Sequence, residues 1–175
     1  MLQLKVRHNP DVAVESAGLV LYRVRDGRPE VLLVHPGGPF WKRRDAGAWS
    51  IPKGEIEDGE VAVDVARREF KEELGHDAPA GDLVPIGSVR QAGGKLVRAW
   101  AARGDVDADR IVSISFTMEW PPRSGTMQEF PEVDRAAWFD LATARQKILA
   151  AQVVFLDRLD EMLGAAGASP APPRR

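Results

Sequence analysis

The segment from Gly54 to His76 constrains the fold most, because it predicts a helix with one apolar side and three carboxylates beside that side. At 100° per residue, its apolar positions fall within one arc of about 80° and form a stripe that another layer can cover. The stripe consists of Val63, Ala66, Phe70 and Leu74. Glu69, Glu72 and Glu73 occupy the neighbouring arc of about 100°. The helix therefore needs a partner layer, and three adjacent negative charges need compensation.

Patterns on both sides of this helix predict a mixed domain. Runs of strand-forming residues bounded by turn residues mark the strands, and 3.6-residue periodicity marks the helices. The predicted strands are residues 17–24, 30–35, 49–54, 82–91, 95–104, 110–120 and 135–140. The predicted helices are residues 60–74, 141–149 and 152–163, with Asp58 as N-cap and Gly75 as stop of the first, and Gly164 ending the last. Residues 121–133 are predicted to be a long loop, and the element order favours an α/β fold with helices on the faces of a mixed sheet.

Size and charge narrow the classes of function. With 175 residues and 44% hydrophobic content, the chain suits one domain over residues 1–163, with a core at about 12–163 and a disordered tail at 164–175. The 24 basic and 26 acidic residues argue against a dedicated nucleic-acid binder. Cysteine is absent, which excludes disulfides, zinc-thiolate sites and a cysteine nucleophile. No signal peptide or membrane span is visible, so we expect a soluble cytoplasmic protein.

Two interpretations explain the three carboxylates. Charge runs are commonly solvated helix faces, but such faces usually mix signs at i and i+4. Here Glu69 repels both Glu72 and Glu73, and only Arg68 and Glu72 form a favourable i,i+4 pair. A hard divalent cation among the carboxylates would make their clustering favourable, since Mg²⁺ takes oxygen ligands. The helix alone leaves both interpretations open.

The wider segment favours the metal through a resemblance. Seven residues match every fixed letter of the Nudix box, G-x5-E-x7-R-E-U-x-E-E-x-G-U, at its full spacing: Gly54, Glu60, Arg68, Glu69, Glu72, Glu73 and Gly75. Two aliphatic positions of the box differ, because Phe70 is aromatic and His76 stands at the last position. Neither departure alters a carboxylate. The chain therefore resembles the Nudix hydrolase superfamily.

This resemblance implies a fold and a reaction. The family fold is an α/β/α sandwich with a mixed sheet, in which the catalytic box forms a loop, a helix and a second loop. The family reaction is hydrolysis of a nucleoside diphosphate linked to another group, with water attacking phosphorus and Mg²⁺ or Mn²⁺ assisting. A main-chain carbonyl near Lys53 or Gly54 often completes the metal shell in this family.

The resemblance also assigns roles by position. Glu72 and Glu73 match the main metal ligands. Glu69 matches a residue that adds a metal contact or helps activate water. Arg68 matches the arginine that orients a catalytic glutamate, and Glu60 matches a supporting carboxylate near the helix start.

Many family members take their general base from a later loop. The candidates here are Glu119, Glu129 and Glu132. The stretch from Glu129 to Phe139 resembles the family's late Glu-then-Trp segment, which favours Glu132, six residues before Trp138. The alternative is that these carboxylates only solvate an exposed loop.

Residues before the box bear on the substrate. The form W-x-x-P-K-G, which includes Trp49 and Lys53, resembles family members that act on long polyphosphates. Lys53 would add a cation beside the phosphate chain, and Lys42, Arg43 and Arg44 would grip distal phosphates. The alternatives are that the basic run is a solvated loop and that Trp49 packs at a strand start instead of stacking on a base.

We therefore predict a Nudix pyrophosphohydrolase acting on a small-molecule nucleoside or dinucleoside polyphosphate. Two other functions stay open: a nucleoside triphosphate pyrophosphatase that sanitises the nucleotide pool, and a non-catalytic ligand-binding regulator with the same fold. Both a monomer and a homodimer are compatible with the sequence. His35 is expected to end a strand rather than act in catalysis.

Overall fold

The computed structural model describes residues 14–167, which form a six-stranded mixed sheet, a separate two-stranded hairpin and three α-helices. The strands are β1 (Glu15–Arg25), β2 (Arg28–Pro36), β3 (Lys53–Glu55), β4 (Val84–Arg90), β5 (Leu96–Arg103), β6 (Ser115–Glu119), β7 (Met127–Pro131) and β8 (Val133–Asp140). The helices are α1 (Ala62–Leu74), α2 (Leu141–Lys147) and α3 (Val153–Gly167). None of the helices within residues 14–167 combines the length and hydropathy needed to cross a bilayer.

The six-stranded sheet has the order β4-β5-β1-β2-β8, and β3 also pairs with β1. β1 and β5 are parallel, and the other pairs are antiparallel. β1 lies in the middle, and its residues from Ser16 to Leu21 are all buried. A strand buried on both faces favours a continuous apolar run over alternation, which is what β1 shows. Leu19 faces one helix layer, while Val20 faces the other.

Two hydrophobic cores, one on each face of the sheet, confirm the predicted α/β fold. One core joins β1 and β2 to α1 through Val65, Ala66, Phe70 and Leu74. The other joins the sheet to α2 and α3 through Leu141, Ala144, Phe155, Leu156 and Leu159. Burying a Phe side chain contributes about 1.5–3 kcal/mol. Phe70 is fully buried and so keeps the packing role that an aliphatic residue has at this box position.

The start of α1 differs from the prediction. The helix begins at Ala62 rather than at Glu60, and Asp58 does not cap it, because Val61 occupies the N-cap position without a side-chain hydrogen bond. Instead, the Glu60 carboxylate accepts from the main-chain N–H of Glu57, at 2.8 Å. The predicted stop at Gly75 is confirmed, with a left-handed φ of 73°.

The buried side of α1 is also turned from its predicted position. Val65, Glu69 and Glu73 are buried, whereas Val63 is only partly buried. The reason is that β3 and the sheet approach α1 from the carboxylate side, where the small Ala62 and the compact Val65 leave room. The helix therefore carries two of its three carboxylates into the protein.

Three further element bounds are corrected. The strand predicted at 49–54 begins only at Lys53, and Trp49 and Ser50 make isolated bridges instead. The loop predicted at 121–133 contains β7, which pairs with β6. α3 continues past Gly164 to Gly167, since one glycine inside a helix costs only about 1 kcal/mol relative to alanine. The rest of the predicted tail, residues 168–175, and the first 13 residues lie outside the described residues.

Candidate active site

Gly54 and Glu69 meet where β3 crosses the side of α1. The Glu69 carboxylate fills the space in which a side chain at position 54 would lie: a Cβ built there would be 1.8 Å from Cδ of Glu69. Only glycine permits this approach of main chain to carboxylate. Glu69 is 8% exposed as a result, and burial raises the pKa of its carboxyl.

Glu73 lies one turn further along α1 and also faces β3. Its carboxylate accepts a hydrogen bond from the main-chain N–H of Lys53, at 3.2 Å. Burial raises the pKa of Glu73 to about 8, against the opposing effect of the Lys53 ammonium. Burial lowers the pKa of Lys53, against the opposing effect of the Glu73 carboxylate. The pair therefore places a partly neutralised carboxyl beside the main chain of β3.

Arg68 donates hydrogen bonds to three carboxylates of the site. Its Nη1 donates to Glu69 at 2.6 Å and to Glu72 at 3.3 Å, and its Nη2 donates to Glu60 at 3.2 Å. One guanidinium thus faces three carboxylates, so the negative charge is only partly compensated. These contacts hold the rotamers of Glu69 and Glu72, since charge-assisted hydrogen bonds are directional.

Glu132, between β7 and β8, is the distal glutamate that reaches this cluster. Its main chain is linked to α1 through Ile114, whose oxygen accepts from the Glu132 N–H at 2.9 Å and whose N–H donates to the Glu72 carbonyl oxygen at 3.0 Å. Burial raises the pKa of the Glu132 carboxyl, and the negative charge of Glu72 raises it further. Glu119 is occupied elsewhere, because its carboxylate accepts from the Gly125 N–H at 2.6 Å within the β6–β7 hairpin. Glu129 is exposed on β7, opposite Thr117.

The predicted basic run lies on the loop between β2 and β3. Lys42, Arg43 and Arg44 are exposed, and none of the three side chains pairs with a carboxylate in the described part of the chain. The loop joins the site through its main chain, because the Gly37 N–H donates to the carbonyl oxygen of Glu132 at 2.8 Å. The basic run therefore follows a segment that is bonded directly to Glu132.

Trp49, which the sequence offered as a stacking residue, is buried in the core. Its side chain is 4% exposed, packs edge to face against His35 and Phe139, and donates through Nε1 to Asp45 at 2.8 Å. Trp49 is thus a core residue, as the other interpretation of the sequence proposed. Its two aromatic neighbours come from β2 and β8, so only the tertiary structure shows its burial.

An aromatic pair with one exposed ring was missed by sequence reasoning. Phe40, on the loop with the basic run, is 58% exposed and contacts the ring of Trp120 at 5.2 Å. The signal in the sequence is the adjacency of Phe40 to Lys42, Arg43 and Arg44. The partner Trp120 comes from the far end of β6, beyond the reach of local patterns.

The donor set around Gly54 fits a hard divalent cation. Glu69, Glu72 and Glu73 offer carboxylate oxygens, and the main chain of β3 lies against two of them. Oxygen ligands of this kind suit Mg²⁺. Within residues 14–167, no three acidic or histidine side chains are placed so that they could hold a metal ion together, and Arg68 donates to Glu69 and Glu72. A bound cation would share these carboxylates with Arg68.

Comparison with known proteins supplies a family for this geometry. The family model of the NUDIX domain matches residues 14–159. The structure of the Ap4A hydrolase of C. elegans in a binary complex is 25% identical, with a TM-score of 0.60, over 87% of this chain and 99% of that chain.

Two more distant structures share the fold alone. The NUDIX domain of Shewanella oneidensis NrtR, complexed with ADP ribose, is 20% identical over 90% of this chain and 94% of its own, with a TM-score of 0.60. A mutT/nudix family protein from Listeria innocua is 19% identical over 91% and 98%, with a TM-score of 0.59.

Proposed function

Because the chain belongs to the Nudix family and is a Nudix pyrophosphohydrolase, we propose that its substrate is a nucleoside polyphosphate, foremost a dinucleoside polyphosphate. The observation that carries this proposal is the loop after β2, which presents the exposed Phe40 and three cations that have no carboxylate partner within residues 14–167, beside the segment bonded to Glu132. A short diphosphate has few charges to match such a surface, whereas a longer phosphate chain ending in a base matches both the cations and the ring. The Ap4A hydrolase of C. elegans supports this choice by its likeness to this chain.

In this proposal Glu69, Glu72 and Glu73 hold Mg²⁺ or Mn²⁺, and a main-chain carbonyl near Gly54 completes the set. Nudix proteins generally use divalent metal ions, and such an ion offsets phosphate charge and acidifies water when it is bound. Arg68 keeps Glu69 and Glu72 in position through the hydrogen bonds described above.

The protein side chains divide the remaining work. Glu132 accepts the proton of the water that attacks phosphorus, since its raised pKa brings it nearer to the operating pH. Lys53 places a positive charge beside the phosphates. Lys42, Arg43 and Arg44 bind distal phosphates, and Phe40 stacks on a base. In these roles the carboxylate contacts water, the cationic side chains contact phosphates, and the aromatic ring contacts the base.

The test is hydrolysis of a substrate panel with Mg²⁺, using the wild type, Glu73→Gln and the exposed control Glu57→Gln. The panel contains diadenosine tetra- and hexaphosphate, nucleoside triphosphates, ADP-ribose and a diphosphoinositol polyphosphate. We expect cleavage of the dinucleoside polyphosphates that falls by about 100-fold or more in Glu73→Gln, because several kcal/mol of charge stabilisation depend on the metal. Glu57→Gln keeps wild-type activity.

Preference for nucleoside triphosphates would replace this proposal with a pool-sanitising pyrophosphatase. Replacing Lys42, Arg43 and Arg44 together by alanine separates the two substrates. If the basic run binds distal phosphates, the triple variant raises KM for diadenosine hexaphosphate more than KM for a triphosphate. Equal changes in both KM values would show that the basic run does not select substrates by the length of their phosphate chain.

A further inference from the structure

His35 is a fully buried titratable residue that the proposed chemistry does not use. It lies next to the end of β2, where the register with β8 shifts between His35 and Pro36. Its Nδ1 is 2.8 Å from Oδ1 of Asp134, and its Nε2 is 2.7 Å from the main-chain oxygen of Arg44. Both ring nitrogens therefore lie at hydrogen-bond distance from an oxygen.

The chemistry of these oxygens determines the hydrogens on the ring. A main-chain carbonyl only accepts, so Nε2 of His35 donates to Arg44. The Asp134 side chain is 30% exposed, and its Oδ1 lies 3.7 Å from Nε of Arg135. A carboxylate oxygen beside a guanidinium accepts hydrogen bonds and does not donate them. Two acceptors require two N–H donors, and only an imidazolium has both.

Asp134 is the counterion that makes a buried imidazolium tolerable. A buried charge is costly unless it is paired and hydrogen-bonded, and His35 is both. The other charged groups nearby do not reach the ring nitrogens: Asp45 accepts from Nε1 of Trp49, and Arg135 lies over the Trp49 ring at 5.4 Å. The Trp49 ring itself meets His35 edge to face, at 5.2 Å.

The two partners of His35 belong to the two segments that the proposed function brings together. Arg44 ends the basic run, and Asp134 follows Glu132 by two residues. We propose that His35 is a positioning residue: its imidazolium ties the loop 37–44 to the start of β8, and this tie sets the place of the basic run relative to Glu132. The other end of the loop is already held there through the Gly37 N–H and the Glu132 oxygen. The catalytic consequence rests on the proposed function, whereas the tie itself does not.

The imidazolium is tested by ¹⁵N NMR of the His35 ring without substrate. We expect hydrogens on both ring nitrogens of the wild type, because each nitrogen faces an accepting oxygen. Asp134→Asn is a matched variant, because an amide donates to a neutral Nδ1 while Nε2 still donates to Arg44. In that variant Nδ1 loses its hydrogen and the loop stays tied. A single ring N–H in the wild type would overturn the proposal.

The tie is tested with His35→Leu, which introduces an apolar side chain that donates to neither oxygen. We expect faster hydrogen exchange in residues 37–44 and a KM for diadenosine hexaphosphate raised by about 10-fold or more, with a smaller change in kcat. Phe155→Leu, on the buried side of α3, is the control for a general loss of packing and leaves both readouts near wild type. Unchanged exchange and unchanged KM in a folded His35→Leu protein would refute the tie.

Asp134→Ala provides the same test if His35→Leu does not fold, since Asp134 is partly exposed and its loss removes the acceptor of Nδ1. Loop exchange as slow as in the wild type would then refute the tie. If the wild type hydrolyses no polyphosphate, the NMR and exchange measurements still decide the tie. Failure of the proposed function is therefore distinguished from failure of this inference.

Discussion

Replacing Gly54 by alanine tests whether catalysis depends on the position of Glu69 against β3. A Cβ at position 54 would lie 1.8 Å from Cδ of Glu69 and 1.9 and 2.3 Å from its two oxygens. Ordinary van der Waals contact starts at 3.4 Å, so the carboxylate and the main chain of β3 must separate by about 1.6 Å. Glu69 is 8% exposed and bonded to Arg68, which leaves little space for that movement.

We expect Gly54→Ala to lower kcat by about 100-fold, because displacing a catalytic group by 1 Å has an effect of that order. Overpacking typically costs about 1–3 kcal/mol of unfolding free energy. Since domains are usually stable by about 5–15 kcal/mol, the variant stays folded. The assay is Mg²⁺-dependent hydrolysis of the preferred substrate from the panel, with thermal unfolding followed by circular dichroism and Mg²⁺ binding by calorimetry.

Gly81→Ala is the matched control, because a Cβ at that position meets no atom within 4 Å. We expect its kcat and stability to stay within about twofold and 0.5 kcal/mol of the wild type, as for most surface substitutions. A folded Gly54→Ala protein with the kcat of the wild type would refute the reasoning. Glu69 would then need no fixed place against β3, and its burial there would be a matter of packing alone.

Three further predictions test the other parts of the site. Glu132→Gln lowers kcat by about 100-fold or more, while Glu129→Gln does not; equal losses in the two variants would contradict the choice of Glu132. Because burial raises the pKa of Glu73 from 4.5 to about 8, the folded protein keeps a proton that the unfolded chain loses between these pH values. Without divalent cations the unfolding free energy therefore falls as pH rises from about 5 to 8. Thermal melts with and without Mg²⁺ should show that the cation weakens this fall. A melting temperature that does not depend on pH in the absence of Mg²⁺ would contradict the prediction. Trp49→Ala lowers the unfolding free energy by about 3–5 kcal/mol, whereas Phe40→Ala raises KM for the nucleotide with little change in Tm. Thermal melts and kinetics measure these two effects. A raised KM in Trp49→Ala together with a lowered Tm in Phe40→Ala would make Trp49 the stacking residue.

Local patterns were sufficient where the cause is local. The spacing of Glu69, Glu72 and Glu73 on a helix follows from its 100° step, so their shared side was predictable. Gly75 ends α1 because a left-handed residue suits glycine, and the β1–β2 and β4–β5 hairpins follow from turn residues between strand-forming runs. The family resemblance rests on the same short segment.

The tertiary structure decided what depends on neighbours distant in sequence. Trp49 is buried because His35 and Phe139 reach it from β2 and β8, and no local pattern distinguishes that place from an exposed one. Glu132 reaches the carboxylates because the Gly37 and Ile114 main chains hold its segment, whereas the hairpin carries Glu129 away.

The sequence by itself determined that α1 carries clustered carboxylates, because helical geometry needs only neighbours in the chain. It did not determine that two of them turn inward, since the approach of β3 selected Val65 over Val63 for the core. Burial of Glu69 and Glu73 then raised their pKa values, an effect of desolvation that arises only when another strand excludes the water. The sequence alone therefore determined which carboxylates cluster on α1, whereas the packing of β3 against them determined their burial and their pKa values.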